Sequence, residues 1–280
     1  MTEYLRIPTE AGTFDAIAAG PQDGRNVLLL HGFPEAAVAW TDQVQALGAA
    51  GFRAVAPDQR GYSPDARPQH ARDYQLADLT GDVLAIAGAL GWQRPFDLVG
   101  HDWGATLAWL VAAEHPERVR TLCAVSTPHP GAFAEALRED EDQMLRSQHL
   151  QLYRSGSGTT EKRLLADDAA GLRQAFDRRI PPSRIEDYLS RLREPGALSA
   201  ALNWFRATPL TRLEAPKVSV PTLYVWGTED VAVGSTAALA TEAWVSGAYR
   251  FQMLEDISHW LPEEEPEVMT VLLLDHLRHG

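Results

Sequence analysis

The chain has 280 residues, 45% of them apolar, enough to bury one large core, which excludes a disordered tail or a disulfide-built miniature fold. Its 38 acidic against 25 basic side chains give a net charge of -13, so nucleic acid and anionic membrane surfaces are repelled and neither is expected as a partner. The single cysteine, Cys123, has no disulfide partner and reads as packing. The charged N-terminal segment lacks a signal-peptide pattern and no apolar run reaches the ~20 residues of a membrane helix, so a cytoplasmic protein is expected.

In chain order, residues 3–8 and 12–19 alternate as an edge hairpin about Glu10, Ala11 and Gly12. Aliphatic and β-branched runs at 26–30, 53–57, 96–100 and 121–126 read as buried strands, separated by helical patterns near 37–50, 76–91 and 103–115. After Thr127-Pro128-His129-Pro130 the rhythm changes. Residues 131–214 read as helices broken by turns, and their acidic and basic residues balance, so the net negative charge falls on the remainder. Residues 155–158 read as a flexible turn, because no Gly-Lys-Ser/Thr follows to make a phosphate loop. Strands return at 221–226 and 249–254, with helices near 234–244 and 265–278. This predicts an α/β protein with a mostly parallel eight-stranded sheet and helices on both faces. Core parts 1–130 and 215–280 enclose a helical cap inserted at 131–214. The acidic runs 139–142 and 263–265 read as solvated faces or helix starts.

The chemistry concentrates in Gly100-His101-Asp102-Trp103-Gly104, between a buried strand and an apolar helix. Small flanking residues let a tight strand-to-helix turn expose one side chain, here Asp102, although an aspartate there also suits a plain helix cap. An acid and then a histidine follow in the order such a nucleophile needs. Asp230 closes the strand at 221–226, with Glu229 as the rival acid, and His259 lies just after the next strand. A serine attacking an sp3 carbon would form a stable ether, whereas a carboxylate forms an ester that water can cleave. An aspartate nucleophile therefore points to sp3 electrophiles, with His259 activating water and Asp230 orienting His259. No metal or organic cofactor is required, and neither His-Glu-x-x-His nor paired cysteines occur.

With His31-Gly32-Phe33-Pro34-Glu35 after the third strand and Asp58-Gln59-Arg60-Gly61-Tyr62-Ser63 after the fourth, the aspartate elbow resembles the epoxide hydrolase and dehalogenase branch of the α/β-hydrolases over essentially the whole chain. The resemblance implies the α/β-hydrolase fold with its cap, and an oxyanion hole from the backbone N–H groups of Phe33 and Trp103. It leaves His31 and His101 structural. It also implies a small hydrophobic or aromatic epoxide as substrate, opened to a vicinal diol.

Epoxide hydrolases usually carry two cap tyrosines as proton donors. Phe205 stands at one of these positions, in Asn203-Trp204-Phe205-Arg206, and Leu150 aligns with the other, before Gln151-Leu152-Tyr153. The cap and pocket candidates are therefore His149, Leu150, Tyr153, Tyr188, Trp204 and Phe205, with Tyr153, Tyr188 and His149 as substitute donors. A haloalkane-type dehalogenase using Trp103 as a halide donor is the alternative, weakened by Phe33 where such enzymes usually place Asn. Trp103 and Thr106 stand where haloacid enzymes place arginines, which disfavours haloacids. A non-catalytic ligand-binding protein on the same scaffold is the third reading.

Overall fold

Side chains alternate across a strand, and the central runs of this chain are apolar at both parities, so both faces need cover. In the computed structural model, which describes residues 2–156, 158–176, 179–213 and 215–280, one eight-stranded sheet meets that need. Its strands are β1 (Glu3–Thr9), β2 (Gly12–Ala19), β3 (Arg25–Leu30), β4 (Phe52–Pro57), β5 (Phe96–His101), β6 (Val119–Val125), β7 (Thr222–Glu229) and β8 (Tyr249–Ser258). The order is β1-β2-β4-β3-β5-β6-β7-β8. The β1–β2 hairpin is antiparallel and β2 runs antiparallel to β4; every later pairing is parallel.

Helices α1 (Thr41–Ala49), α2 (Leu76–Ala89) and α3 (Trp103–Glu114) follow β3, β4 and β5. Between β6 and β7 lie α4 (Pro130–Glu139), α5 (Glu141–Arg146), α6 (His149–Arg154), α7 (Thr159–Ala175), α8 (Pro182–Leu192) and α9 (Ala197–Ala207). The last part carries α10 (Ser235–Ala240), α11 (Leu261–Glu264) and α12 (Pro266–His279). Val27, Leu29, Val99 and Val225 pack on one face against Val44 and Leu47 of α1 and Leu273 and Leu277 of α12. Leu28, Leu30, Leu98 and Tyr224 face the other way, beneath α2, α3 and the helices that follow β6. Burying a Val or Leu contributes about 1.5–3 kcal/mol against about 0–1 for an exposed ion pair, so this alternation sets the register.

Residues 103–112 of α3 are all buried, because the helix lies between the sheet and the overlying helices. Above it, α8 is tied to the core by the Arg191–Asp58 ion pair and by Arg184 donating to the Val38 carbonyl at 2.6 Å. Asp58 also accepts the Ala37 N–H at 2.7 Å, which accounts for its place in the motif after β4.

The expected elements differ from the structure mainly at their ends. β7 and β8 extend to Glu229 and Ser258, β7 through Gly227, a residue of weak strand preference, and a bulge interrupts their register there. The helices expected near 37–50 and 234–244 are each divided between an α-helix and a 3₁₀ turn, Ala37–Trp40 and Thr241–Trp244. Of the turn expected at 155–158, Ser157 lies outside the described residues, as does Glu214 at the expected end of the cap.

Candidate active site

The turn from β5 into α3 is possible only because its neighbours are small. A Cβ on Gly100 would lie 2.2 Å from the Gly104 carbonyl oxygen, one on Gly104 2.2 Å from that of Leu30, and one on Gly32 2.4 Å from the Asp102 Cβ. Asp102 sits at the apex with φ +51° and ψ -117°, a strained conformation for a residue with a side chain. Its carboxylate makes no capping bond to α3. Instead Oδ1 accepts the Phe33 N–H at 2.8 Å, and Oδ2 lies 3.5 Å from His259 Nε2.

On the other side of the imidazole, both Asp230 oxygens stand 3.0 Å from His259 Nδ1. Asp230 is fixed in turn by the N–H groups of Ala232 and Val233, at 2.8 and 2.9 Å from Oδ1. Glu229 is exposed, as the alternation of neighbouring residues at a strand end requires. Asp102 keeps 22% of its side chain accessible whereas Asp230 keeps none, so only Asp102 can meet a ligand.

Burial by itself disfavours a charged imidazole, but the carboxylates of Asp230 and Asp102 override it and raise the His259 pKa well above its ordinary value. Burial likewise works against the Asp102 carboxylate, yet His259 and the Phe33 N–H hold its pKa below the usual range.

The flanking histidines are clamps. His31 Nδ1 donates to the Gly32 carbonyl at 2.9 Å and Nε2 accepts the Gln59 N–H at 3.2 Å, leaving neither ring nitrogen for chemistry. His101 spans Glu35 Oε2, 2.9 Å from Nδ1, and the His259 carbonyl, 2.8 Å from Nε2. The Ser126 hydroxyl donates to that same carbonyl at 2.7 Å.

Asp102 and His259 open into a cavity of about 740 Å³. Phe33, Trp103 and Thr106 line it from the core, Val231 and Val233 from the loop after β7, and His149, Leu150, Tyr153, Leu164 and Phe205 from the helices between β6 and β7. The rings of Phe33, Tyr153 and Phe205 meet at 5.0–5.1 Å between centroids, and Trp103 packs edge-on to Phe205 at 5.1 Å. Burial first, and then the charge of Asp102, push the Tyr153 phenol up to about 12. His149 lies on the exposed rim, where Nδ1 donates to the Arg146 carbonyl at 2.9 Å.

Two expected pocket residues are not brought there. Tyr188 is fully buried, its hydroxyl donating to Glu263 at 2.6 Å, and Trp204 is buried behind Trp103, with its indole N–H donating to the Arg60 carbonyl at 2.9 Å. Each polar tip found a partner away from the cavity, as a buried donor must. The acidic run at 263–265 lies at helix starts, Glu263 and Glu264 in the first turn of α11 and Glu265 just before α12, but not on the solvated face that was the other expectation. The Glu263 side chain is 3% exposed, and Glu264 binds Ser258 and Arg179. The run at 139–142 does start a helix, with Asp140 capping α5 through the Asp142 N–H.

Sequence reading missed Phe133, Leu164 and Leu210 in the cavity wall, Arg146 donating to the Asp230 carbonyl, and the Glu35–His101 pair. Glu35 was visible in its motif; the others carry no local signal. Cys123 is buried in the sheet, and burial pushes its thiol up. Among the described residues, no group of three or more His, Cys, Asp or Glu is placed to hold a metal ion, and no helix is long and apolar enough to cross a membrane.

A family model described as alpha/beta hydrolase fold matches residues 25–266. Epoxide hydrolase 4 of Mus musculus is 31% identical, over 98% of this chain and 79% of that protein. The AB hydrolase superfamily protein YfhM of Bacillus subtilis is 31% identical, over 98% and 97%. Epoxide hydrolase A of Mycobacterium tuberculosis is 30% identical, over 99% and 97%. Among solved structures, one described under novel epoxide hydrolases of the alpha/beta hydrolases superfamily in metagenomes from hot environments superposes with a TM-score of 0.89, at 26% identity and 99% coverage of both chains.

Proposed function

The chain belongs to the α/β-hydrolase family, among its epoxide hydrolase-like enzymes, and from that premise we propose that it opens a hydrophobic or aromatic epoxide to a vicinal diol through an ester on Asp102. The observation that carries this reading is an accessible carboxylate at the floor of a largely apolar cavity, anchored through one oxygen and faced through the other by an imidazole that a buried carboxylate backs.

In the first step Asp102 Oδ2 forms a bond to an epoxide carbon as the carbon–oxygen bond breaks, and the leaving oxygen takes a proton. Tyr153 supplies it: the residue lines the cavity, and its phenol, like any tyrosine's, carries its proton at neutral pH. His149 is unsuited as donor, because its only N–H at neutral pH faces the Arg146 carbonyl, and Tyr188 is engaged by Glu263. Oδ1 becomes the ester carbonyl oxygen, already beside the Phe33 N–H. The Trp103 N–H opens α3, where no intrahelical acceptor exists for it, and completes the oxyanion hole.

Esterification removes the charge of Asp102, one of the two carboxylates that raise the His259 pKa. The imidazole then gives up its proton, which restores the Tyr153 phenol, and becomes a base, backed by Asp230 alone. Water gives a proton to His259 and attacks the ester carbon; collapse of the tetrahedral intermediate returns that proton to Oδ2, which leaves with the diol, and the proton of the new Asp102 carboxyl group passes to His259.

Replacing His259 with Gln tests this sequence. Ester should form and persist, so mass spectrometry of the peptide containing Asp102 should show an adduct with any epoxide the parent turns over. In single turnover of the parent in oxygen-18 water, the product oxygen should remain unlabelled. Label in the first product would show direct attack by water, and halide release in place of diol formation would favour the dehalogenase.

A further inference from the structure

Two carboxyl groups are buried behind the catalytic histidine. Glu35 uses Oε2 to accept from the Gly32 N–H at 2.8 Å and from His101 Nδ1 at 2.9 Å, while its Oε1 is buried without a partner. Glu263 on α11 accepts the Tyr188 hydroxyl through Oε1, while its Oε2 is also buried without a partner. The two side chains are neighbours, the Glu35 charge favouring the proton on Glu263. A carboxyl proton between them gives both orphan oxygens a partner, which two ionised carboxylates cannot do.

We propose that Glu263 is un-ionised and donates its carboxyl proton to Glu35, which makes it a positioning residue for His259 through His101. Both nitrogens of His101 face acceptors, Glu35 and the His259 carbonyl, so its ring carries two protons and Glu35 is the carboxylate. Glu263, Glu35 and His101 together then have no net charge, the state that burial favours. Burial and the neighbouring Glu35 charge both act to keep the proton on Glu263.

The opposing influences are the Tyr188 hydroxyl, which donates to Oε1, and Arg184 of α8, whose Nε lies 3.5 Å from the same oxygen. That guanidinium is also bound to the Val38 carbonyl and stands 4.0 Å from Asp42, so its charge is shared. Glu264 is turned away to Ser258 and Arg179, and His31 is held by Gly32 and Gln59. The resulting chain runs from Tyr188 on α8 through Glu263, Glu35 and His101 to the His259 backbone. It ends where a small displacement would move the imidazole relative to Asp102.

This inference rests on the reading of His259 as the base, so one arm of its test uses no substrate. The infrared spectrum of the parent at neutral pH should contain the carbonyl band of an un-ionised carboxyl group that is missing from E263Q. A parent-minus-variant spectrum without that band overturns the proposal, whatever the substrate is. In single turnover with a styrene-type epoxide, E263M should form the Asp102 ester at the parent rate but hydrolyse it at least about tenfold more slowly, since a 1 Å misplacement of a reacting group can cost about 100-fold. E263Q, whose amide can donate the same hydrogen bond to Glu35, should recover most of that loss. Hydrolysis by E263M at the parent rate, or an E263Q as slow as E263M, refutes the positioning role.

Discussion

On the sheet side of the cavity each reacting group is held by at least two partners: Asp102 by the Phe33 N–H and His259, Asp230 by two N–H groups and the imidazole, and His259 between two carboxylates. On the cap side a single phenol, that of Tyr153, stands near Asp102 among Leu150, Leu164 and Phe205. The difference follows from the backbone. Strand ends and the first turn of a helix leave N–H groups free to aim at a site, whereas the interior of a cap helix uses its N–H groups internally and can offer only side chains. In the proposed reaction the sheet side therefore contributes many groups, and the helices between β6 and β7 one residue.

Loss of the buried acid should disable the sheet side. D230N should lower kcat by about 10⁴-fold, because the imidazole loses the carboxylate that orients it, while E229Q stays close to the parent. Steady-state rates on one epoxide, with thermal melting to verify folding, check this ranking, and the reverse order would reassign the acid.

A smaller effect tests the cap. Y153F removes the proposed proton donor with no change of shape and should slow a simple aliphatic epoxide by about 10²–10⁴-fold. The loss should be less for a benzylic epoxide, whose opening carbon is itself stabilised. Equal loss on both substrates, or none, would show that the phenol is not the acid.

The smallest effect sharpens the contrast. F205Y places a second hydroxyl beside Tyr153, whose ring centroid is 5.0 Å away. In the parent background it should raise the rate by less than about tenfold, since a donor is already present, and in Y153F it should restore a larger fraction. A double-mutant cycle on one substrate measures the coupling; strictly additive effects would mean that the two positions do not serve the same oxygen.

The sheet and the meeting of Asp102, Asp230 and His259 are legible because their signals are local. Aliphatic runs at both parities mark buried parallel strands, glycines on either side of Asp102 mark a turn that admits no Cβ, and the order Asp102, Asp230, His259 follows the strand ends. The preference for Asp230 over Glu229 also follows from strand alternation. Tyr153, Tyr188 and Trp204 are indistinguishable at that level, as aromatic residues on amphipathic helices whose direction depends on what packs against them.

By itself the sequence determined the order of strands and helices, the carboxylate at the elbow and the absence of hydroxyls at Leu150 and Phe205, since periodicity, steric exclusion and residue identity act over a few residues. Only the tertiary structure decided that Tyr153 reaches the cavity while Tyr188 turns to Glu263, and that Glu263, from an acidic run that composition would leave in water, lies buried against Glu35. Glu35 and Glu263 are far apart in the chain, and their burial depends on where α8 and α11 settle over the sheet. The free energy that places them comes from long-range packing, which no short window of sequence contains.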